Sequence, residues 1–260
     1  MKKPAVFLTI NRYKVSIIVL LVLIISLASI TLLQNKKTIQ SVISIIKIKP
    51  LDNKVIVIDP GHGGIDGGTN IGDILEKNIN LEVGLKLKDM LSKKGATVIM
   101  TREIDESLDD RIVGNGSRHR EDLNARVKTV NDSKADLFIS IHVNHIKNEK
   151  KIGPIVFYDV DSEEGKYLAE HMQEYLNDIS TYKKHDINVK HGATSGNFYI
   201  LGNIAIPGII IEMGFLSNEI DRMLLLEAEH QDEIVEQITK SIIEFFIKED
   251  DPSSIKLQGL

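Results

Sequence analysis

Val55-Ile56-Val57-Ile58-Asp59-Pro60-Gly61-His62-Gly63-Gly64 is the stretch from which the fold can be read. Its β-branched apolar run makes a strand buried on both faces, and Pro60-Gly61 stops it. Downstream, residues 78–94 put Ile79, Val83, Leu87, Met90 and Leu91 on one helical face, with Gly95 as the stop. Residues 96–100, 135–142, 155–158, 198–201 and 208–212 read as further apolar strands, and 121–133, 163–176 and 231–246 as helices. Such alternation predicts a single α/β domain: a twisted, mostly parallel central sheet with helices on both faces. Two connections, 102–120 and 181–196, are long and rich in Gly, Asn and Ser, as functional or mobile loops are.

The composition suits that reading. Apolar residues make up 42% and charged residues 27% of 260, enough for a real core, which excludes collagen-like and disordered classes. With no cysteine, disulfides, thiolate zinc sites and a cysteine nucleophile are excluded. Residues 1–50 hold eight Lys/Arg and no Asp/Glu, leaving 24 basic against 37 acidic side chains beyond them, net -13. A domain so acidic lacks the basic face that would neutralise phosphates, so no nucleic acid is expected as partner.

Residues 15–33 (VSIIVLLVLIISLASITLL) are uncharged and just long enough to cross a bilayer, behind Lys2, Lys3, Arg12 and Lys14. They read as a transmembrane anchor, or as a signal peptide cut near Ser26-Leu27-Ala28. Either way the remainder is exported, membrane-anchored or secreted after cleavage. The expected plan is a basic cytoplasmic segment 1–14, the apolar helix 15–33, a tether 34–52, a catalytic domain 53–248 and a flexible tail 249–260.

Ligands gather at the carboxyl ends of parallel strands. His62 follows the first strand, His142 closes the third, Glu212 closes the last, and Glu76 stands at the entrance to the first helix. All four are expected on one edge of the sheet. Two imidazoles and a carboxylate form an open zinc set, and a further carboxylate can take a proton from water and pass it to a leaving amine. Plainer readings of the same residues exist. A histidine at a strand end is often only a satisfied polar group. Glu76 suits a helix N-terminus electrostatically, and Glu212 suits a buried ion pair. GHGGIDGG lacks the Lys-Ser/Thr of a phosphate loop and the G-x-G-x-x-G spacing.

The runs IVIDPGHGGIDGG, EKNINLEVGLKLKDML, TRE, LNARVKTVNDSKADLFISIHVN, GPIVFY and PGIIIEMGFLSN resemble the zinc-dependent N-acetylmuramoyl-L-alanine amidases of bacterial cell walls, in that family's order over roughly 54–247. The resemblance implies one Zn²⁺ held by His62, Glu76 and His142, with Glu212 as catalytic base. It implies cleavage between the lactyl group of N-acetylmuramic acid and L-alanine of the stem peptide in peptidoglycan. A lone domain behind an apolar segment is similar to the germination-specific amidases of spore-formers, whose role is in spore cortex maturation and muramic-δ-lactam formation.

Asn144, Arg126, Asn197 and His191 are further candidates for contacts to peptide or sugar, and His145 is either a substrate contact or merely exposed. His119, His171, His185 and His230 read as surface residues. An acidic, repeat-free domain has no evident hold on a polyanionic wall, so an extracytoplasmic activator or partner protein is expected. The rival readings are a zinc peptidase or carboxypeptidase acting on wall peptides, and a non-catalytic peptidoglycan-binding scaffold.

Overall fold

The run beginning at Val55 forms strand β1 (Val55–Pro60), and its alternation explains the layering. Ile56 and Ile58 belong to one buried cluster and Val57 to another, so the strand needs cover on both sides. The computed structural model describes residues 49–112, 114 and 116–249, together with positions 22 and 26. Among the described residues no helix is long and apolar enough to cross a membrane. The helix expected over 15–33 and the tail from 250 lie outside them, apart from the helical positions Val22 and Ser26.

After β1 come a short antiparallel hairpin, β2 (Asn70–Ile71) and β3 (Ile74–Leu75), and helix α1 (Glu76–Lys93). Then follow β4 (Thr97–Met100), α2 (Arg118–Asp132), β5 (Leu137–Asn144), β6 (Ile155–Tyr158) and α3 (Glu163–Leu176). The chain continues through α4 (Ser180–Lys183), β7 (Thr194–Ser195), a 3₁₀ turn (Leu201–Asn203), β8 (Gly208–Phe215), α5 (Glu219–Leu224) and α6 (Ala228–Glu249). Six strands form one sheet in the order β4-β1-β5-β8-β6-β7. The β4-β1-β5-β8 block is parallel, and β6 runs antiparallel to β8 with β7 parallel to β6. Ile79, Val83 and Leu87 of α1, Leu168 and Met172 of α3, and Ile234 and Ile238 of α6 pack on one face. Val130 of α2 meets Val57, Phe138 and Ile210 on the other. The expected architecture, α/β with a mostly parallel sheet and helices on both faces, is the one observed.

Three details differ. Residues 198–201 are not a strand: Ile200 and Leu201 are buried through a turn that enters the 3₁₀ segment, with Asn203 Nδ2 donating to the Tyr199 carbonyl. Short apolar runs bury equally well as turn or strand, and periodicity cannot separate the two. Leu51, placed by the sequence within the tether, is fully buried in the larger core, and its N–H donates to the Lys94 carbonyl. His171 and His230 are not surface residues. Both face inward from amphipathic helices, and burial lowers the pKa of both imidazoles, that of His230 to about 4.

Candidate metal centre and active site

Four elements, β1, α1, β5 and β8, deliver one side chain each to the carboxyl edge of the sheet. β5 and β8 pair His142 directly against Glu212. Just beyond, two residues of β5 are matched by three of β8, a bulge of the kind that re-aims chains beside active sites. β1 ends level with Ile141, and the Gly61 N–H still reaches the Ile141 carbonyl (2.9 Å), which sets His62 beside His142. The two imidazole centroids are 5.0 Å apart, edge to face. Glu76 opens α1, its N–H held by the Thr69 carbonyl at 3.0 Å, and is only 3% exposed.

Glu76 is the hub. Its Oε1 lies 3.2 Å from His62 Nε2 and 2.9 Å from His142 Nδ1, and it accepts the Val143 N–H at 3.0 Å. Its Oε2 accepts the Thr69 N–H at 2.8 Å. One atom from each of His62, Glu76 and His142 lies within 4.8 Å of the others. Donor atoms this close could hold one metal ion between them.

Glycine makes the approach possible at two points. A Cβ on Gly61 would lie 2.1 Å from the His142 ring, and one on Gly68 2.5 Å from Glu76 Oε2. Gly68 also has φ +66°, a left-handed conformation that favours glycine. His62 itself has φ 62° and must be held there.

The electrostatics divide the two glutamates. Burial favours protonation of Glu76, but hydrogen bonds from His142 and His62 outweigh it and hold its carboxyl well below the usual range. Burial, with Glu76 nearby, pushes Glu212 up to about 7, against the lowering influence of His142 and His62. Glu212 Oε2 is buried with no hydrogen-bond partner among the described residues. For His62, burial works against the charged form, yet Asp66 and Glu76 raise the pKa to about 10. A metal bound there displaces that proton.

Asp66 escaped the sequence reading. Its Oδ2 lies 2.8 Å from His62 Nδ1, orienting the ring so that Nε2 faces Glu76. The only signal was its place four residues after His62 in a glycine-rich coil.

The other candidates fall elsewhere. Arg126 is 3% exposed with its donors spent on protein: Asp59 and Asp122 carboxylates (2.6 Å each) and the Pro60 and His62 carbonyls. It holds an internal carboxylate, not a substrate's. Asn197 is exposed but follows β7, which runs with β6 against β8, so it lies at the opposite edge of the sheet from His142 and Glu212. His191 Nε2 is bound to the Ile152 carbonyl (2.7 Å) in the loop before β7, outside the cluster. Asn144 is half-buried at the end of β5, two residues beyond His142, and stays at the site's edge. His145 is exposed on the wall of a neighbouring cavity of about 670 Å³, with Ile71, Ser217 and Arg222.

Comparison with known proteins shows the family. A germination-specific N-acetylmuramoyl-L-alanine amidase of Bacillus subtilis is 41% identical over 207 residues, covering 78% of this chain and 84% of the relative. The solved CwlD amidase of Clostridioides difficile, in complex with the GerS lipoprotein, is 33% identical with a TM-score of 0.67, over 75% of this chain and 99% of that one. AmiC2 of Nostoc punctiforme, an N-acetylmuramoyl-L-alanine amidase, is 28% identical with a TM-score of 0.62, over 76% and 99%. The profile of the N-acetylmuramoyl-L-alanine amidases matches residues 56–244, and the chain belongs to that family.

Proposed function

We propose that this chain is a zinc-dependent amidase that hydrolyses the bond between the lactyl group of N-acetylmuramic acid and L-alanine in peptidoglycan. The observation that carries the reading is the convergence of His62, Glu76 and His142 beside the partnerless Oε2 of Glu212. His62, Glu76 and His142 would hold the ion, and the two-imidazole, one-carboxylate donor set suits zinc. When bound, zinc supplies Lewis acidity, drawing the pKa of water toward neutrality and polarising a carbonyl.

The chain's own residues do the rest. Glu212 accepts a proton from water as its oxygen adds to the lactyl carbonyl carbon. The carbon–nitrogen bond then breaks, and Glu212 returns the proton to the departing alanine nitrogen, giving a carboxylic acid and an amine that become carboxylate and ammonium in water. Asp66 keeps the His62 ring turned toward the ligand cluster. Replacing Glu212 by Gln tests the role: zinc content should stay and hydrolysis of muropeptides should stop, whereas full activity with zinc intact excludes Glu212 as base.

We place the activity in spore cortex maturation, supported by the likeness to the germination-specific relative of Bacillus subtilis. Residues 15–33 would tether the domain outside the cytoplasmic membrane. The Clostridioides difficile relative was solved with a lipoprotein, which supports an extracytoplasmic protein partner here also.

A further inference from the structure

Arg102 is only 1% exposed, one of the bulkiest side chains buried in the domain, and it touches none of the four site residues. Its contacts are nearly all backbone carbonyls. Nε donates to Pro60 O (2.9 Å), Nη2 to Gly61 O (3.0 Å) and Lys77 O (2.8 Å), and Nη1 to Ile104 O (3.2 Å). Pro60 and Gly61 lead directly into His62, and Lys77 directly follows Glu76. One rigid fork thus spans the two segments that carry two of the three clustered side chains. Those segments belong to different elements, the β1 loop and the start of α1, and the short hairpin between them is half-exposed.

Arg126 completes the clamp from the other side, donating to Pro60 O (3.1 Å) and His62 O (2.8 Å). Two guanidiniums buried side by side repel each other, and burial followed by Arg126 lowers the Arg102 pKa. Asp59, Asp105 and Asp122 offset that repulsion. An apolar side chain in place of Arg102 would leave these carbonyls without donors, so the guanidinium is tied to holding them. The clamped segment includes His62, whose φ of 62° a non-glycine residue keeps only under restraint.

We propose that Arg102 is a positioning residue: by clamping the Pro60-Gly61 and Lys77 carbonyls together, it sets the separation of His62 from Glu76 and hence the affinity of the centre for zinc. The proposal rests on the reading of His62, Glu76 and His142 as metal ligands. A lysine keeps the charge but lacks the planar fork that reaches carbonyls in several directions.

The test is zinc affinity of the purified full chain, by competition with a chromogenic chelator, for wild type, Arg102→Lys and Arg111→Lys. Arg111, a surface control, pairs with Glu106 and donates to the Thr101 carbonyl but to none of the clamped carbonyls. The cobalt(II) absorption spectrum and far-ultraviolet circular dichroism are recorded for each. Arg102→Lys should bind zinc roughly 10–100-fold more weakly, as loss of outer-shell support does, with an altered cobalt spectrum and native dichroism. Arg111→Lys should match wild type. Wild-type affinity and spectrum in folded Arg102→Lys overturn the proposal. If Arg102→Lys does not fold, Arg102→Gln takes its place under the same criterion. Failure of both to fold assigns Arg102 to the fold and overturns the proposal. A folded wild type that binds no zinc removes the metal reading itself, an outcome distinct from either.

Discussion

Glu76 and Glu212 are two carboxylates of one site pushed toward opposite protonation states, Glu76 well below the ordinary range and Glu212 up to about 7. Such divergence separates a ligand from an acid–base group. Glu212→Gln should therefore keep the zinc content of wild type and lose about 10²–10⁴ in kcat on a muropeptide, followed by amine release. Asp66→Asn should leave the fold intact and weaken zinc binding by roughly 10–100-fold in a chelator competition, because one amide oxygen cannot accept from both the Gly68 N–H and the His62 ring. The meeting of His62, Glu76, His142 and Glu212 at one sheet edge was legible from strand ends and a helix start, whereas their roles as ligands and base were implied only by the family resemblance. Asp66 was not legible, since its contact depends on how a glycine-rich coil closes. Arg126 was misjudged for a related reason: its place on a helix does not reveal that this face turns toward Asp59.

At the scale of elements, the apolar strands and the 3.6-residue periodicity of the long helices were readable, and α1, α3 and α6 came out close to their observed bounds. The two- and four-residue elements β2, β3, β7 and α4 were not, because tertiary contacts define them: Tyr182 of α4 is fixed by a 2.7 Å hydrogen bond to Asp221. α1 lies tight on β1 through Gly84, where a Cβ would come within 2.8 Å of the Pro60 ring. Gly84→Val should cost on the order of 2 kcal/mol, read as a lower urea midpoint, and lower zinc affinity as Glu76 shifts with the helix. His230, in the first turn of α6, contacts Thr181 of α4 at 2.6 Å and is fully buried. Burial lowers its pKa from 6.5 to about 4, against a weaker opposing effect of Glu233. A depressed histidine contributes stability that is complete above the unfolded value and lost as pH falls toward the folded one. Between pH 6.5 and 4, wild type should therefore lose on the order of 3 kcal/mol more than His230→Asn. Equal pH slopes in urea titrations of the two would contradict this.

Across the whole molecule, the parallel block places the site at its carboxyl edge, while the reversal at β6 sends the β7 region to the far side. That reversal left no trace in the composition of β6, since an apolar strand reads alike in either direction; hence Asn197 was expected at the site and lies away from it. A metal bound only by the folded domain stabilises it by mass action. Zinc at about 100 times its Kd should add about 2.7 kcal/mol, so a chelator should lower Tm by roughly 5–10 °C, and no shift in a zinc-loaded sample would contradict a centre formed by folding. The most direct test of the central claim is mass-spectrometric identification of the products that the zinc-loaded full chain makes from a muramoyl-tripeptide. The account predicts a tripeptide with a free L-alanine amine and N-acetylmuramic acid with a free lactyl carboxylate. Cleavage within the peptide, with the lactyl–alanine bond intact, would contradict it.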